Sequence, residues 1–445
     1  MNRLRFSTRM LGRCFGTLCV LAGTAAALPA SIAIPSDGSD GAFAPTESVV
    51  IDLSEALTGP WDTAGTGAGV YDPEQWAVVF KFSTINIPAG VTVTFANHPS
   101  RAPVIWLAQG DVVIDGTVSL NGTMGHDLND LRTFSEPGPG GFRGGRGSDA
   151  QTPGAAGTGP GGAAYTTGTE AAGSGGGYGA TGGAGSGVSS GAGTPGIAYG
   201  NPGVYPLIGG SGGAGSAMAD RGRGGGGGGG AILIATAQSM SLGGQIRANG
   251  GGSPGGNGSW QFYGGGGSGG GIRLIADNIA GEGTLLALGG AGGTGNVGRS
   301  GGNGAVGRIR VEAFTNDLID AGNPAFSLGV PEDEPRIFRD PTTPAIRSVT
   351  LGGEPVPEDP RAELSFPNTD VTLPEAGTMT LVIEAENVPF DSEVLVRVVR
   401  RTGAETAYLA ELTGGTFESS TWSAEVDVSG GFSTVQVRAD FAGGE

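Results

Sequence analysis

The sequence predicts an all-β protein: a glycine-rich β-solenoid resembling a parallel β-helix, with tracts of polyglycine II type, followed by a β-sandwich. Three observations predict it. Short apolar strands recur with matched partners, glycine is concentrated between those strands, and the last hundred residues switch to regular alternation. Of 445 residues, 92 are Gly and 38% are hydrophobic. That is too apolar for a disordered polymer and too glycine-rich for ordinary packed domains throughout. Collagen is excluded, because Gly-X-Y does not persist.

Residues 1–33 read as a signal peptide. Arg3, Arg5, Arg9 and Arg13 precede an apolar run from Cys14 to Leu28, and small residues follow up to an expected cut after Ala33. The run is shorter than the roughly 20 residues a membrane span needs, so no transmembrane segment is expected after cleavage. Both cysteines lie in this segment, which leaves the mature chain without disulfide or thiolate chemistry. Cleavage would move the net charge from −18 to −22, and such an acidic surface disfavours nucleic acid and anionic lipid. Lys81 is the only lysine, and the abundance of Gly, Ala, Arg and Pro points to a high-GC bacterial genome.

After a linker over 34–45, residues 46–125 are expected to form the first rungs of the solenoid. Val91, Val93 and Phe95 share one face, Val104–Ala108 is apolar on both, and Val112-Val113-Ile114 and Thr117-Val118-Ser119-Leu120 follow. Residues 126–315 form the glycine-rich repeat region. Val104–Ala108 recurs as Ile232–Thr236, Ile272–Ala276 and Ile309–Ala313, the later copies starting 40 and 37 residues apart. The first three are each followed by a second strand, within Gly116–Gly122, Gly244–Gly250 and Gly283–Gly289. One such unit exposes an apolar face that only a stacked neighbour covers. In the last copy Arg308, Arg310 and Glu312 alternate with apolar residues, so a solvated face at a stack end is expected.

Residues 138–307 hold 66 of the 92 glycines, several at every third position, as at 289, 292, 295, 298, 301, 304 and 307. Three residues per turn is the period of the polyproline II helix, and inward glycine lets such helices approach until their backbones bond. Fully extended, 289–307 would reach about 56 Å at about 3.1 Å per residue, so the tract must fold back or project from the sheet. The competing reading is a flexible linker.

Residues 316–345, with Pro-Glu-Asp-Glu-Pro, look like a second linker. Over 346–445 the segments Val371–Leu373, Thr378–Ala385, Glu393–Val399, Ala407–Leu412, Thr421–Val428 and Ser433–Ala439 fit a cysteine-free immunoglobulin-like sandwich.

Chemistry-bearing motifs are sparse. Gly224–Gly230 runs into a strand without G-K-[ST], which argues against phosphate binding. His98 and His126 are the only histidines, too few for a zinc site, and His98 before Pro99 reads as a turn residue. No metal or cofactor is expected. Asp111, Asp115, Asp127 and Asp130 are the acids a pectin-lyase-like enzyme would use, set against a reading as turn residues. Trp260, Phe262 and Tyr263 are the candidate ligand-binding residues: inside a glycine tract they would stack on sugar rings, or plug the space between glycine arms. Asn121-Gly-Thr123 and Asn257-Gly-Ser259 match a glycosylation sequon but read as turns.

Ile85-Asn-Ile-Pro-Ala-Gly-Val-Thr-Val-Thr94, the Gly110–Gly122 segment and Gly-Gly-Gly-Ile272-Arg-Leu-Ile-Ala276 together resemble bacterial secreted glycine-rich β-solenoid proteins, over about residues 46–315. The glycine tracts are also similar to the glycine-rich ectodomain of the anaplastic lymphoma kinase receptors, without its cysteines or kinase region. The combined expectation is an exported, non-enzymatic structural or adhesion protein, extracellular, periplasmic or on the cell surface, with glycans or other surface and matrix components as partners. The alternative is a polysaccharide-binding or polysaccharide-cleaving β-helix protein.

Overall fold

The computed structural model describes residues 32–126, 133–149, 151–166, 170–186, 193–218, 222–256, 262–295, 299–319, 321–364 and 367–441. The leader expected over 1–33 lies outside them up to Ser31. Among the described residues the structure is all-β, its one helical element being the single 3-10 turn Leu53–Glu55. No helix there is long and apolar enough to cross a membrane.

The described residues from 32 to 330 build a 12-stranded and a 6-stranded sheet, almost entirely parallel, beside a short antiparallel pair of Glu170–Ala171 with Ala217–Met218. Alternation explains how they meet. Each circuit of the chain places one strand in each of three ladders, and every second side chain points to a common interior. In the first ladder Ala77–Phe82, Val104–Ala108, Ala231–Thr236, Gly271–Gly281 and Arg308–Leu318 lie side by side, so that Phe80, Trp106, Ile234, Leu274 and Val311 form one column. The second ladder stacks Ile87, Ile114 and Leu242. The third stacks Val49, Val93, Val118, Ile246 and Leu285. These residues share one core, apart from the half-buried Val49 that packs against it. The four recurring segments read from the sequence are therefore neighbours in register.

Val104–Ala108 is apolar on both faces because its outer face is also covered. Ile105, Leu107, Leu233 and Ile275 form a second cluster with Ile32 and Ile337, against which Ile34, Leu207 and Phe338 pack. This cover bears on two boundaries. Ile32 is only 3% exposed and the Ala33 N–H bonds to the Asp333 carbonyl at 2.8 Å, so the last two residues before the expected cut pack into this cover. Likewise 316–345 is no free linker: Gly322–Asn323 and Ser327–Gly329 extend the ladders and Ile337 is buried. The end face expected to be solvated is so only in part: Glu312, paired with Arg273 at 3.0 Å, is nearly buried, while Arg308 and Arg310 are half-buried. The segment 34–45, expected as linker, contributes Ala42–Phe43 to the second ladder.

Every long glycine tract leaves after a third-ladder strand and returns to the first ladder. The tracts therefore emerge at one corner and lie against each other. A relay of backbone bonds crosses them: Gly304 to Gly290, Gly290 to Gly267, Gly267 to Gly251, Gly251 to Gly227 and Gly227 to Thr123, all at 2.8–3.0 Å. The tract 289–307 does fold back, with Gly301, Gly304 and Gly307 donating to Gly293, Gly290 and Ala287 in steps of three. A Cβ on Gly290 would sit 1.9 Å from the Gly251 carbonyl oxygen, so only glycine permits this approach.

The remaining strands are antiparallel. A five-stranded sheet is ordered Glu354–Pro355, Ala345–Leu351, Gly377–Glu386, Ser420–Val428, Glu411–Gly415; a three-stranded sheet is ordered Thr406–Leu409, Glu393–Arg400, Ser433–Asp440. Leu381, Ile383, Val394, Val396, Trp422 and Val426 pack between them. Two strand expectations need correction. Val371–Leu373 is not a strand but part of the coil over 367–376, and Ala407–Leu412 is two strands that change sheets at Ala410.

Candidate binding cleft

The C-terminal sheets are held against the glycine-rich body by side chains and backbone groups from both coil and strand residues. Arg101 and Arg143 both reach Glu136 and Glu363: Arg101 Nη2 lies 2.8 Å from Glu363, and Arg143 Nε lies 2.7 Å from Glu136. On the other side Arg397 donates to the Gly157 carbonyl at 3.0 Å, Arg438 to Pro160 at 2.9 Å, and the Gly403 N–H to Gly154 at 2.7 Å. Tyr71 donates to Asp359 at 2.5 Å.

Between these clamps lies a cleft of about 810 Å³, within the range of ligand sites. Its lining includes the apolar Leu351, Leu381, Leu395 and Val437 of the two sheets and the cationic Arg101, Arg143, Arg347, Arg361, Arg397 and Arg438. Trp76, Arg101 and Ala362, three of the six non-glycine residues with positive φ among those described, line it. Such backbone costs about 1–3 kcal/mol each and persists only where the surroundings impose it. Glu363 illustrates the electrostatics: burial raises its pKa, but Arg143 and Arg101 outweigh that and hold the carboxyl below its ordinary value. Arg397, buried with only Glu405 to offset desolvation, is shifted down. Burial likewise raises Tyr71 and, despite Asp359, lowers His98.

The sequence-predicted ligand residues lie elsewhere. Trp260 is outside the described residues. Phe262 and Tyr263 are 1% and 0% exposed; Arg299 lies over the Phe262 ring, Arg223 over the Tyr263 ring, and the Tyr263 hydroxyl bonds to the Gly256 carbonyl at 2.7 Å. The sugar-stacking role therefore has no free ring face to use, and the plug between glycine arms describes both residues.

Asp111 and Asp115 are exposed at the two ends of Val112–Ile114. Asp111 accepts the Ser239 N–H at 3.2 Å, and Asp115 lies against Gly243. In the next turn their places are taken by Ser239 and Gly243, so the ladder brings no second carboxylate beside them. Asp127 and Asp130 lie outside the described residues. His98 is a turn residue, its Nδ1 receiving the Ser100 N–H at 3.2 Å.

Sequence reasoning missed the cleft because its walls are far apart in the chain, 262 residues for the Arg101–Glu363 pair. The legible signal was limited to Arg residues placed among strand or turn residues without a local acidic partner. No family model, curated protein or solved structure matches this chain.

Proposed function

We propose that this chain is an exported, non-enzymatic structural or adhesive protein of the cell surface. In this reading a glycine-rich β-solenoid, with arms of polyglycine II type, carries and orients a C-terminal immunoglobulin-like sandwich. Stacked parallel ladders and bonds stepping by three residues support the solenoid and the arms. The observation that carries the function is the four-membered clamp of Arg101, Arg143, Glu136 and Glu363, which gives the C-terminal sheets one orientation, as presentation of a binding face requires. Surface glycans or matrix components are the proposed partners. The acidic charge supports a partner other than nucleic acid.

The test expresses the full chain in a bacterial host and measures cell-surface retention and cell–cell or cell–matrix attachment. Glu363→Arg, which reverses one corner of the clamp, is expected to lower attachment while β-sheet circular dichroism is retained. Release of reducing sugar from polygalacturonate, abolished by Asp111→Asn or Asp115→Asn, would overturn the reading in favour of a cleaving enzyme.

A further inference from the structure

We infer that a second, smaller cleft, between the outer face of the third ladder and the segment 136–139, is a subsite for a neutral sugar ring of a surface glycan. Its volume is about 450 Å³, within the range of about 300–1,000 Å³ typical of ligand sites. Val93 and Val118 point into the core, so Thr94 and Ser119, paired in register on adjacent strands, point outward into its lining. The turn His98-Pro99 and the first residues of a glycine arm, Glu136 to Pro139, complete it. Asn97 ties the turn to the arm, its Nδ2 donating to the Pro137 carbonyl at 2.8 Å.

The polar groups of this cleft are held in place but not all are used. Asn121 Oδ1 accepts the Asn249 N–H at 2.8 Å, which leaves Nδ2 to donate to an occupant. His98 is 7% exposed; its Nδ1 accepts the Ser100 N–H at 3.2 Å, so the neutral ring carries its proton on Nε2. Neither that N–H nor the Ser119 hydroxyl has a hydrogen-bond partner among the described residues, and Asn97 Oδ1 is buried without one. An apolar occupant would leave these groups unpaired. Charge is already balanced, since Arg101 and Arg143 pair with Glu136 and Glu363, so nothing selects an anion or a cation. Phe95, Pro137 and Pro139 add apolar surface. A sugar ring matches all of this: it is uncharged, its hydroxyls both donate and accept, and its C–H faces are apolar.

This inference deepens the adhesive reading by naming the glycan class, and rests on it for its biological setting. The full chain, isotopically labelled in histidine, is titrated with the methyl glycosides of galactose, glucose and mannose. It has only two histidines, His98 and His126, so the imidazole signals read the site directly. With at least one glycoside, a saturable shift is expected in the signal that His98→Phe removes, while the other signal stays in place. Ser119→Arg fills the cleft at a position whose register partner is already Arg247, and is expected to weaken binding at least about tenfold. His98→Phe, read by saturation transfer to the glycoside, is expected to weaken it about three- to tenfold through loss of one hydrogen bond. Thr117→Arg, on the same strand but outside the cleft, is expected to leave it unchanged. No saturable shift with any of the glycosides, equal binding by Ser119→Arg, tighter binding of galacturonate, or the same shift with glycerol would overturn the subsite. Glycoside binding without surface attachment would reject the adhesive reading alone, and attachment without glycoside binding would reject the subsite alone.

Discussion

The glycine-rich arms and the C-terminal sheets both fill space without helices, by opposite means. In the arms the backbone itself is the packing surface: carbonyl and amide groups of six residues, from Gly304 to Thr123, bond in relay, and there are few side chains to bury. In the C-terminal sheets side chains such as Ile383, Val396 and Trp422 fill the space between two layers. A Cβ atom is thus an obstacle in one region and the start of the core in the other. The recurring ladders combine the two, since apolar columns lie inside and the glycine tracts are confined to one corner.

The sharpest way to break this contrast is a pair of glycine substitutions. Gly290→Ala places its methyl 1.9 Å from the Gly251 carbonyl oxygen, and displacing backbone is expected to cost about 3 kcal/mol. Gly430→Ala, with nothing within 4 Å, is expected to change stability by no more than about 0.5 kcal/mol. Urea denaturation of the two variants reads the difference, and equal effects would mean that the arms do not pack through backbone contact.

Next in size is the N-terminal cover. Ile32→Ala removes a buried side chain from the outer cluster of the first ladder and is expected to cost about 2 kcal/mol. If the chain is exported and cleaved, its first residue is expected to be no later than Ile32, which N-terminal sequencing checks; a first residue at Ile34 would show that the cover is dispensable.

The smallest effect lies at the clamp. Because Arg143 and Arg101 hold the Glu363 pKa below 4.5, the folded state binds fewer protons there than the unfolded state. Its stabilising contribution is complete above about pH 4.5 and is lost as pH falls through the lower folded value. Thermal denaturation from pH 7 to 3 is expected to show a shallower acid-side slope for Glu363→Gln. An unchanged slope would place the clamp outside the forces that hold the C-terminal sheets.

The ladders were legible in the sequence because each strand carries its own record: Val104–Ala108, Ile232–Thr236, Ile272–Ala276 and Ile309–Ala313 share an apolar pattern, and that pattern fixes which faces turn inward. The folding back of 289–307 was legible from length alone. The plug residues Phe262 and Tyr263 were legible as aromatic but not as buried, since burial depends on arms contributed from elsewhere. Val371–Leu373 failed as a strand because alternation over three residues before Pro374 does not provide a pairing partner. Ala407–Leu412 was read as one strand because nothing in its side chains marks the change of sheet at Ala410.

By itself the sequence determined an all-β chain, the recurring strands, their inward faces and the concentration of glycine between them. These properties are encoded locally, in alternation and in the presence or absence of Cβ. Only the tertiary structure decided which glycine faces which, that Ile32 and Ile337 cover one sheet, and that Arg101 meets Glu363. Backbone bonds and ion pairs between distant segments leave no periodic trace in the chain, because their geometry is set by where whole circuits of the chain come to rest.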